Sequence, residues 1–261
     1  MNKIWAIFKK ELRLYFVSPI AYAVLTAFTL IAGIFFYIYL FEFVKQCLRL
    51  DMQAQMYGSL MKIPAMNVDE WVVRPFFGMI NVILLFILPG ITMRIFSEEK
   101  RQETMALLLT SPLSDLQIVL GKFLGAYSFY CLMIGITFFH FIFLFVFGEV
   151  GWISLLSGYF GLSLVGASFI ATGMLVSNYT ENQIVAFIVT LLINLMFWLA
   201  GAAGSLAGPP FEAVFNYIAF TQHFEDLAKG VIDSKSIVYF VSLIFAGLYL
   251  TIKSLELSRS R

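Results

Sequence analysis

From Phe76 to Ile95 the chain carries one charged residue, Arg94, and from Phe123 to Phe147 it carries none. Between these runs lies the dense island Met93-Arg94-Ile95-Phe96-Ser97-Glu98-Glu99-Lys100-Arg101-Gln102-Glu103-Thr104. A charge at mid-bilayer costs roughly 3 kcal/mol or more, so such an island has to sit outside hydrocarbon while its flanks cross it. The rest of the chain agrees. Of 261 residues, 61% are hydrophobic and only 13% charged, too few to clothe a soluble domain of this length.

Crossing about 30 Å of hydrocarbon takes about 20 apolar residues, and six runs qualify. They lie near 19–41, 76–95, 123–147, 153–176, 184–206 and 237–252. Helices are expected throughout, because an open sheet would leave backbone groups unpaired in lipid. The fold class is therefore an all-α integral membrane protein with six transmembrane helices. No repeat or low-complexity linker divides it, so residues 1–261 read as a single transmembrane domain.

An even number of spans puts both termini on one side. That side receives Lys3, Lys9, Lys10, Arg13, Arg94, Lys100, Arg101, Lys122, Lys253, Arg259 and Arg261; the other receives Lys45, Arg49, Lys62, Arg74, Lys229 and Lys235. Eleven basic residues against six favour cytoplasmic termini. The net charge of +1 offers nothing for nucleic acid.

Residues 3–18 form a separate amphipathic element. Ile4, Trp5, Phe8, Leu12, Tyr15 and Phe16 share one arc, with Lys3, Lys9, Lys10 and Arg13 opposite. This predicts an interfacial helix along the leaflet, with basic residues toward anionic headgroups, ended by Ser18-Pro19. Glu11, at the edge of the apolar arc, either reaches water or pairs with Arg94 or Arg101. On the far side, Glu42 to Arg74 reads as an irregular polar segment, with Trp71 an interface anchor. Phe211 to Leu227, interrupted by polar residues, reads as a re-entrant or interface-lying helical pair before the last span.

Within the island, Thr104 to Leu109 is expected to form a short helix ended by Ser111-Pro112, suited to a groove on a partner. Met105, Leu108 and Leu109 would supply apolar contact, with Glu98, Glu99, Lys100, Arg101 and Thr104 around them. Lys9, Lys10, Glu11, Arg13 and Arg94 would support the interfacial helix. Polar residues inside spans are Asn81, His140 and Asn194, readable either as a substrate path or as interhelical hydrogen bonds. Pro89-Gly90 permits a kink, as a hinge or a static bend. Ser163, Ala167 and Ala171 form a small-residue face for close packing. No metal-ligand spacing occurs. No G-x-S-x-G, H-E-x-x-H or mid-span carboxylate supports an intramembrane enzyme. A phosphate loop is also missing: Gly121-Lys122 is followed by Phe123, and Leu116 stands where its first glycine would be.

Several motifs, in order and at matching spacing, resemble the ABC-2 type transporter permease family, nearest to gliding-motility-type (GldF-like) permeases. They are Phe8-Lys9-Lys10-Glu11-Leu12-Arg13 with Ser18-Pro19-Ile20-Ala21-Tyr22, and Pro89-Gly90-Ile91-Thr92-Met93-Arg94 with Glu98-Glu99-Lys100-Arg101. Leu107-Leu108-Leu109-Thr110-Ser111-Pro112, Gly121-Lys122-Phe123-Leu124-Gly125 and Gly230-Val231-Ile232-Asp233 complete the set. The chain departs from the family's Gly-Thr-x-Glu at Glu103-Thr104-Met105-Ala106. Glutamate and alanine are good helix formers, so the coupling helix is expected to survive these replacements.

The resemblance implies a non-catalytic permease subunit of an ATP-driven exporter in the bacterial cytoplasmic membrane. It would bind no cofactor itself, ATP and Mg residing on a cytosolic ABC ATPase dimer. It would pair with a second copy or a sibling permease, and a periplasmic partner is allowed. The alternative is a membrane anchor whose ATPases do mechanical work on a cell-envelope partner without substrate flux.

Overall fold

A computed structural model of the chain describes residues 3–57, 66–147 and 151–259; the side chains of Leu109, Val146, Phe147, Ala207, Pro209 and Pro210 are also outside the described set. The expectations for Lys62, Arg261 and the Leu109 side chain therefore fall outside the described residues. The fold is all-α. An amphipathic helix α1 (Lys3–Val17) precedes α2 (Pro19–Tyr57). A π-helical turn (Asp69–Val73) leads into α3 (Arg74–Thr92), followed by the short α4 (Ser97–Arg101) and α5 (Met105–Thr110). Then come α6 (Asp115–Phe147), α7 (Trp152–Tyr179), α8 (Gln183–Ala207), α9 (Pro209–Ile218), α10 (Phe220–Ala228) and α11 (Ser234–Arg259). Among the described residues, six segments are long and apolar enough to cross a membrane: Pro19–Met56, Asp69–Arg101, Asp115–Phe145, Trp152–Tyr179, Gln183–Leu206 and Ser234–Arg259.

Burial ranks these spans. Within its apolar window α7 is 78% buried, against 17% for α2 and 22% for α8, so α7 is the axis of the bundle and the other two are peripheral. Its composition explains why. A Cβ at Gly158 would lie 2.1 Å from the Phe77 ring, one at Gly166 2.2 Å from Tyr130, and one at Gly173 2.0 Å from the Thr92 hydroxyl. These notches let α3 and α6 approach α7 closely, which in lipid is what drives helix association. The expected small-residue face takes part: Ala167 and Ala171 are buried, Ala171 against Gly247 of α11, and Ser163 hydrogen-bonds the Tyr127 hydroxyl.

Both ends of the chain meet the same end of the bundle. The Lys3 ammonium donates to the Pro112 carbonyl at 2.6 Å, and Arg259 donates to the Leu113 carbonyl at 3.0 Å. At the opposite end α9 folds back along the last turns of α8, where Gly204 faces Phe215 and Gly201 faces Ala219. The turn between these helices requires Gly208 at φ +87°. The buried Phe220 of α10 then packs 5.1 Å from both Phe169 and Phe197. The pair expected before the last span is thus two short helices folded against α7 and α8.

Glu42 onward differs from expectation. Instead of an irregular segment, α2 continues to Tyr57 as one helix of 39 residues. Glu42, Lys45, Arg49 and Asp51 interrupt the apolar run here and so end the expected span, but Phe43, Cys47, Leu50 and Ala54 recur at helical spacing and are partly buried. At the other boundaries, α6 begins at Asp115, before the expected Phe123. A reciprocal capping box sets that start: Gln117 N donates to Ser114 Oγ and Ser114 N to Gln117 Oε1.

Candidate functional site

The most unusual chemistry in the described residues is a fully engaged lysine at the base of α6. The Lys122 side chain is 2% exposed. Its ammonium donates to Glu11 Oε1 of α1 at 3.0 Å, to Glu99 Oε1 of α4 at 2.9 Å and to the Ile95 carbonyl at 2.9 Å. An ammonium has three N–H donors, and all three are used. It also lies 5.2 Å from the centre of the Phe96 ring. Lys10 adds a second, more exposed cation, 3.6 Å from the same Glu99 oxygen. One side chain therefore ties together the amphipathic helix α1, the charged island and the long apolar helix α6.

Close backbone approach makes this contact reachable. Lys122 is bracketed by Gly121 and Gly125, four residues apart and so on one face of α6. A Cβ at Gly121 would fall 2.6 Å from Ile7 Cβ, and one at Gly125 2.6 Å from Glu11 Cβ. Consequently α1 lies directly on α6, with Ile7 and Glu11 its two buried residues. This corrects the simple amphipathic reading of α1, in which Ile7 had no part. Trp5, from the expected apolar arc, remains half exposed and stacks on Phe8 at 4.7 Å. The Glu11 carboxylate pairs with Lys122 rather than with Arg94 or Arg101.

A second junction ties the island to α7. The Ser177 hydroxyl accepts from Phe96 N at 3.0 Å and Ser97 N at 3.1 Å, and donates to the Met93 carbonyl at 3.0 Å. It thereby satisfies two backbone donors at the start of α4 that have no partner within the helix. Lys100 reinforces the junction by donating to the Asn178 carbonyl.

The link from α4 to α5 has its own logic. Glu103 N donates to the Lys100 carbonyl at 3.1 Å and Thr104 N to the Glu99 carbonyl at 2.9 Å. This is the Schellman pattern, whose residue after the helix cap adopts the left-handed conformation and is usually glycine. Here it is Glu103, at φ +58°. The short helix expected over Thr104 to Leu109 begins just after this turn, as α5 from Met105 to Thr110. Where the resembling permeases carry glycine, this chain holds a glutamate in a conformation that costs an L-residue roughly 1–2 kcal/mol.

The remaining residues singled out in the sequence are distributed as follows. Glu98 accepts from Gln102 Nε2 at 3.2 Å, and the Thr104 hydroxyl donates to the Glu99 carbonyl at 3.2 Å. Met105 turns into the core at 9% exposure, Leu108 is half-buried, and Leu107 faces outward at 72%. Leu108, with Leu113, forms one wall of a groove whose other wall is Lys3, Ala6, Ile7 and Lys10 of α1. Lys9 and Arg13 are exposed, Lys9 lying over the Trp5 ring at 5.6 Å; Arg101 is exposed and Arg94 half-buried.

Asn81, His140 and Asn194 do not share a site. Asn194 Oδ1 accepts from the Thr172 hydroxyl at 2.9 Å across α7 and α8, which is an interhelical bond. His140 Nδ1 lies 3.0 Å from the Thr137 carbonyl of its own helix, with the ring between Phe36 and Phe76. Asn81 is buried on α3 with its carbonyl oxygen unpaired among the described residues.

Sequence reasoning missed the roles of Lys122 and Ser177. For Lys122 a signal was present: a lone lysine between glycines four apart, entering an uncharged span, needs both a close neighbour and a counter-charge. Nothing local marks Ser177 among the other serines.

The geometry is thus that of a multi-span membrane protein with a charged intracluster segment locked onto both an amphipathic helix and the central span. The sequence profile of the family described as ABC-2 family transporter protein matches residues 59–252. That range includes Glu99, Lys122 and Ser177 and leaves out α1 with Glu11. No curated protein matches the chain. With the family profile covering well over half of its residues, the chain belongs to the ABC-2 family of transporter proteins.

Proposed function

We propose that the chain is the permease subunit of an ATP-driven exporter, working with a separate cytosolic ABC ATPase dimer that carries the ATP and Mg. Family membership supports a non-catalytic membrane component; the observation that carries the coupling role is the Lys122 node, which joins the charged segment to α1 and α6. In this reading the termini face the cytoplasm of a bacterium, across its inner membrane. The ATPase docks on α4 and α5, with Leu107 and Leu108 as apolar contacts and Glu98, Glu99, Lys100, Arg101 and Thr104 around them. Closure of the ATPase dimer displaces this segment. Lys122 passes the displacement to α6 and α1, Ser177 and Lys100 pass it to α7, and rocking of the helices alternates access. A second copy or sibling permease completes the pathway.

A mechanical reading, in which the same coupling acts on a cell-envelope partner without flux, is favoured by one observation: Asn81, His140 and Asn194 do not converge on a common polar site. Reconstitution into proteoliposomes with the cognate ATPase separates the two. Stimulation of ATP hydrolysis by a lipid, glycan or drug, with its movement across the bilayer, supports export. Permease-dependent hydrolysis that no such compound alters, with no flux, supports the mechanical reading.

A further inference from the structure

The second half of α11 has one buried face. Gly247, Thr251 and Leu255 are buried and recur every fourth residue, so they lie along one side of the helix. At Gly247 a Cβ would stand 3.0 Å from Ala171 Cβ, which presses this side onto the central helix α7. The next residue in the series is Arg259. Its guanidinium, 36% exposed, reaches away from α7 to the start of α6. Nη2 donates to the Leu113 carbonyl at 3.0 Å and lies 3.2 Å from Asp115 Oδ1. The Asp115 side chain is 10% exposed and sits in the first turn of α6, where the helix amides favour an anion. Leu113 belongs to the link between α5 and α6. Lys3 of α1 holds the adjoining carbonyl of that link, Pro112, at 2.6 Å. Hydrogen bonds continue from the link into the docking helix: Leu113 N donates to the Ser111 carbonyl at 2.7 Å, and the Ser111 hydroxyl to the Leu108 carbonyl at 2.5 Å.

We infer that Arg259 is a positioning residue, carrying displacement of the docking segment α4–α5 to the last span, α11. This presupposes the proposed ATPase-driven permease, whose Lys122 and Ser177 junctions serve α1, α6 and α7 but not α11. The placement of the other polar contacts of α11 makes the link effective. Ser236 bonds His223 of α10, the Tyr239 hydroxyl donates to the Ile218 carbonyl of α9, and the Phe240 carbonyl accepts from Ser168 of α7. All three belong to the first two turns of α11, about 30 Å along the helix from Arg259. A pull at Arg259 therefore acts at the end of α11 remote from these anchors, and a rigid helix converts it into a tilt about them.

Hydrogen exchange on the full chain with its cognate ATPase in lipid nanodiscs, with and without ATP and vanadate, tests the link. In wild type, trapping the ATPase should change exchange in α4 and α5 and in the last turns of α11. Arg259→Gln should bind the ATPase as wild type does and melt within about 2–4 °C of it, because a pair this exposed contributes little to stability. Its α4 and α5 should still respond to trapping, while the response of α11 is lost and permease-stimulated hydrolysis falls about fivefold. Lys253→Gln removes a cation of the same helix whose partner, Glu256, lies on that helix too, and should change neither readout. Five results overturn the Arg259 link and leave the ATPase-driven permease standing: no response of α11 in wild type, a response retained in Arg259→Gln, an equal loss in Lys253→Gln, release of the ATPase by Arg259→Gln, or a much larger drop in its melting temperature. If trapping changes nothing in α4 and α5 of wild type either, both readings fall.

Discussion

Replacing Glu103 by glycine should stabilise the protein. The residue holds the left-handed conformation at φ +58° after the last turn of α4, fixed by the bonds from Glu103 N to Lys100 and from Thr104 N to Glu99. An L-residue pays roughly 1–2 kcal/mol there, and glycine does not. Glycine is looser in the unfolded chain, which returns roughly 0.5–1 kcal/mol of that gain. The Glu103 side chain is exposed and forms no ion pair among the described residues, so its removal costs little. The net expectation is a gain of about 1 kcal/mol, or a rise in melting temperature of about 2–4 °C for a chain of this size. Alanine keeps the penalty, so Glu103→Ala should lie close to wild type. Thermal unfolding of the detergent-solubilised protein measures the set, and hydrogen exchange at the Thr104 amide shows whether the turn itself has tightened. If glycine is no better than alanine on both measures, residue 103 is not strained and the Schellman assignment is wrong.

Three further outcomes follow from the same structure. Lys122→Met leaves two carboxylates without their buried partner and should destabilise the protein by about 3–5 kcal/mol; adding Glu11→Gln and Glu99→Gln should restore much of that, as thermal melts would register. Ser177→Ala strands the Phe96 and Ser97 amides and should cost about 1–3 kcal/mol, with faster hydrogen exchange confined to the start of α4. On topology, an impermeant thiol reagent applied to intact cells should label Cys47 but not an introduced Gln102→Cys, which should react only after permeabilisation; labelling of position 102 from outside reverses the orientation.

Much of the fold was legible because lipid enforces simple rules. Six apolar runs mark six spans, and Ser18-Pro19 marks the break between α1 and α2. Boundaries were least legible where charged residues interrupt an apolar run while the helix continues, as in α2 beyond Phe41 and α6 before Phe123, since hydropathy registers apolar character and not helicity. The site was legible in its parts but not in its pairing. The island stood out by charge alone, whereas the Glu11 to Lys122 contact joins residues 111 positions apart and depends on how closely Gly121 and Gly125 admit α1. The short helix after the island was legible, but the left-handed turn at Glu103 before it was not, because helix propensity describes helix interiors and this residue stands just past a helix end.

On the proposed function, the buried Lys122 node transmits the motion of a docked ATPase to the spans. The most direct test compares wild type with the neutralised node, Lys122→Met with Glu11→Gln and Glu99→Gln, in proteoliposomes with the cognate ATPase. Bound ATPase and permease-dependent ATP hydrolysis are measured together. The neutralised permease should fold and retain the ATPase but no longer stimulate hydrolysis. Full stimulation without the charged node would contradict it.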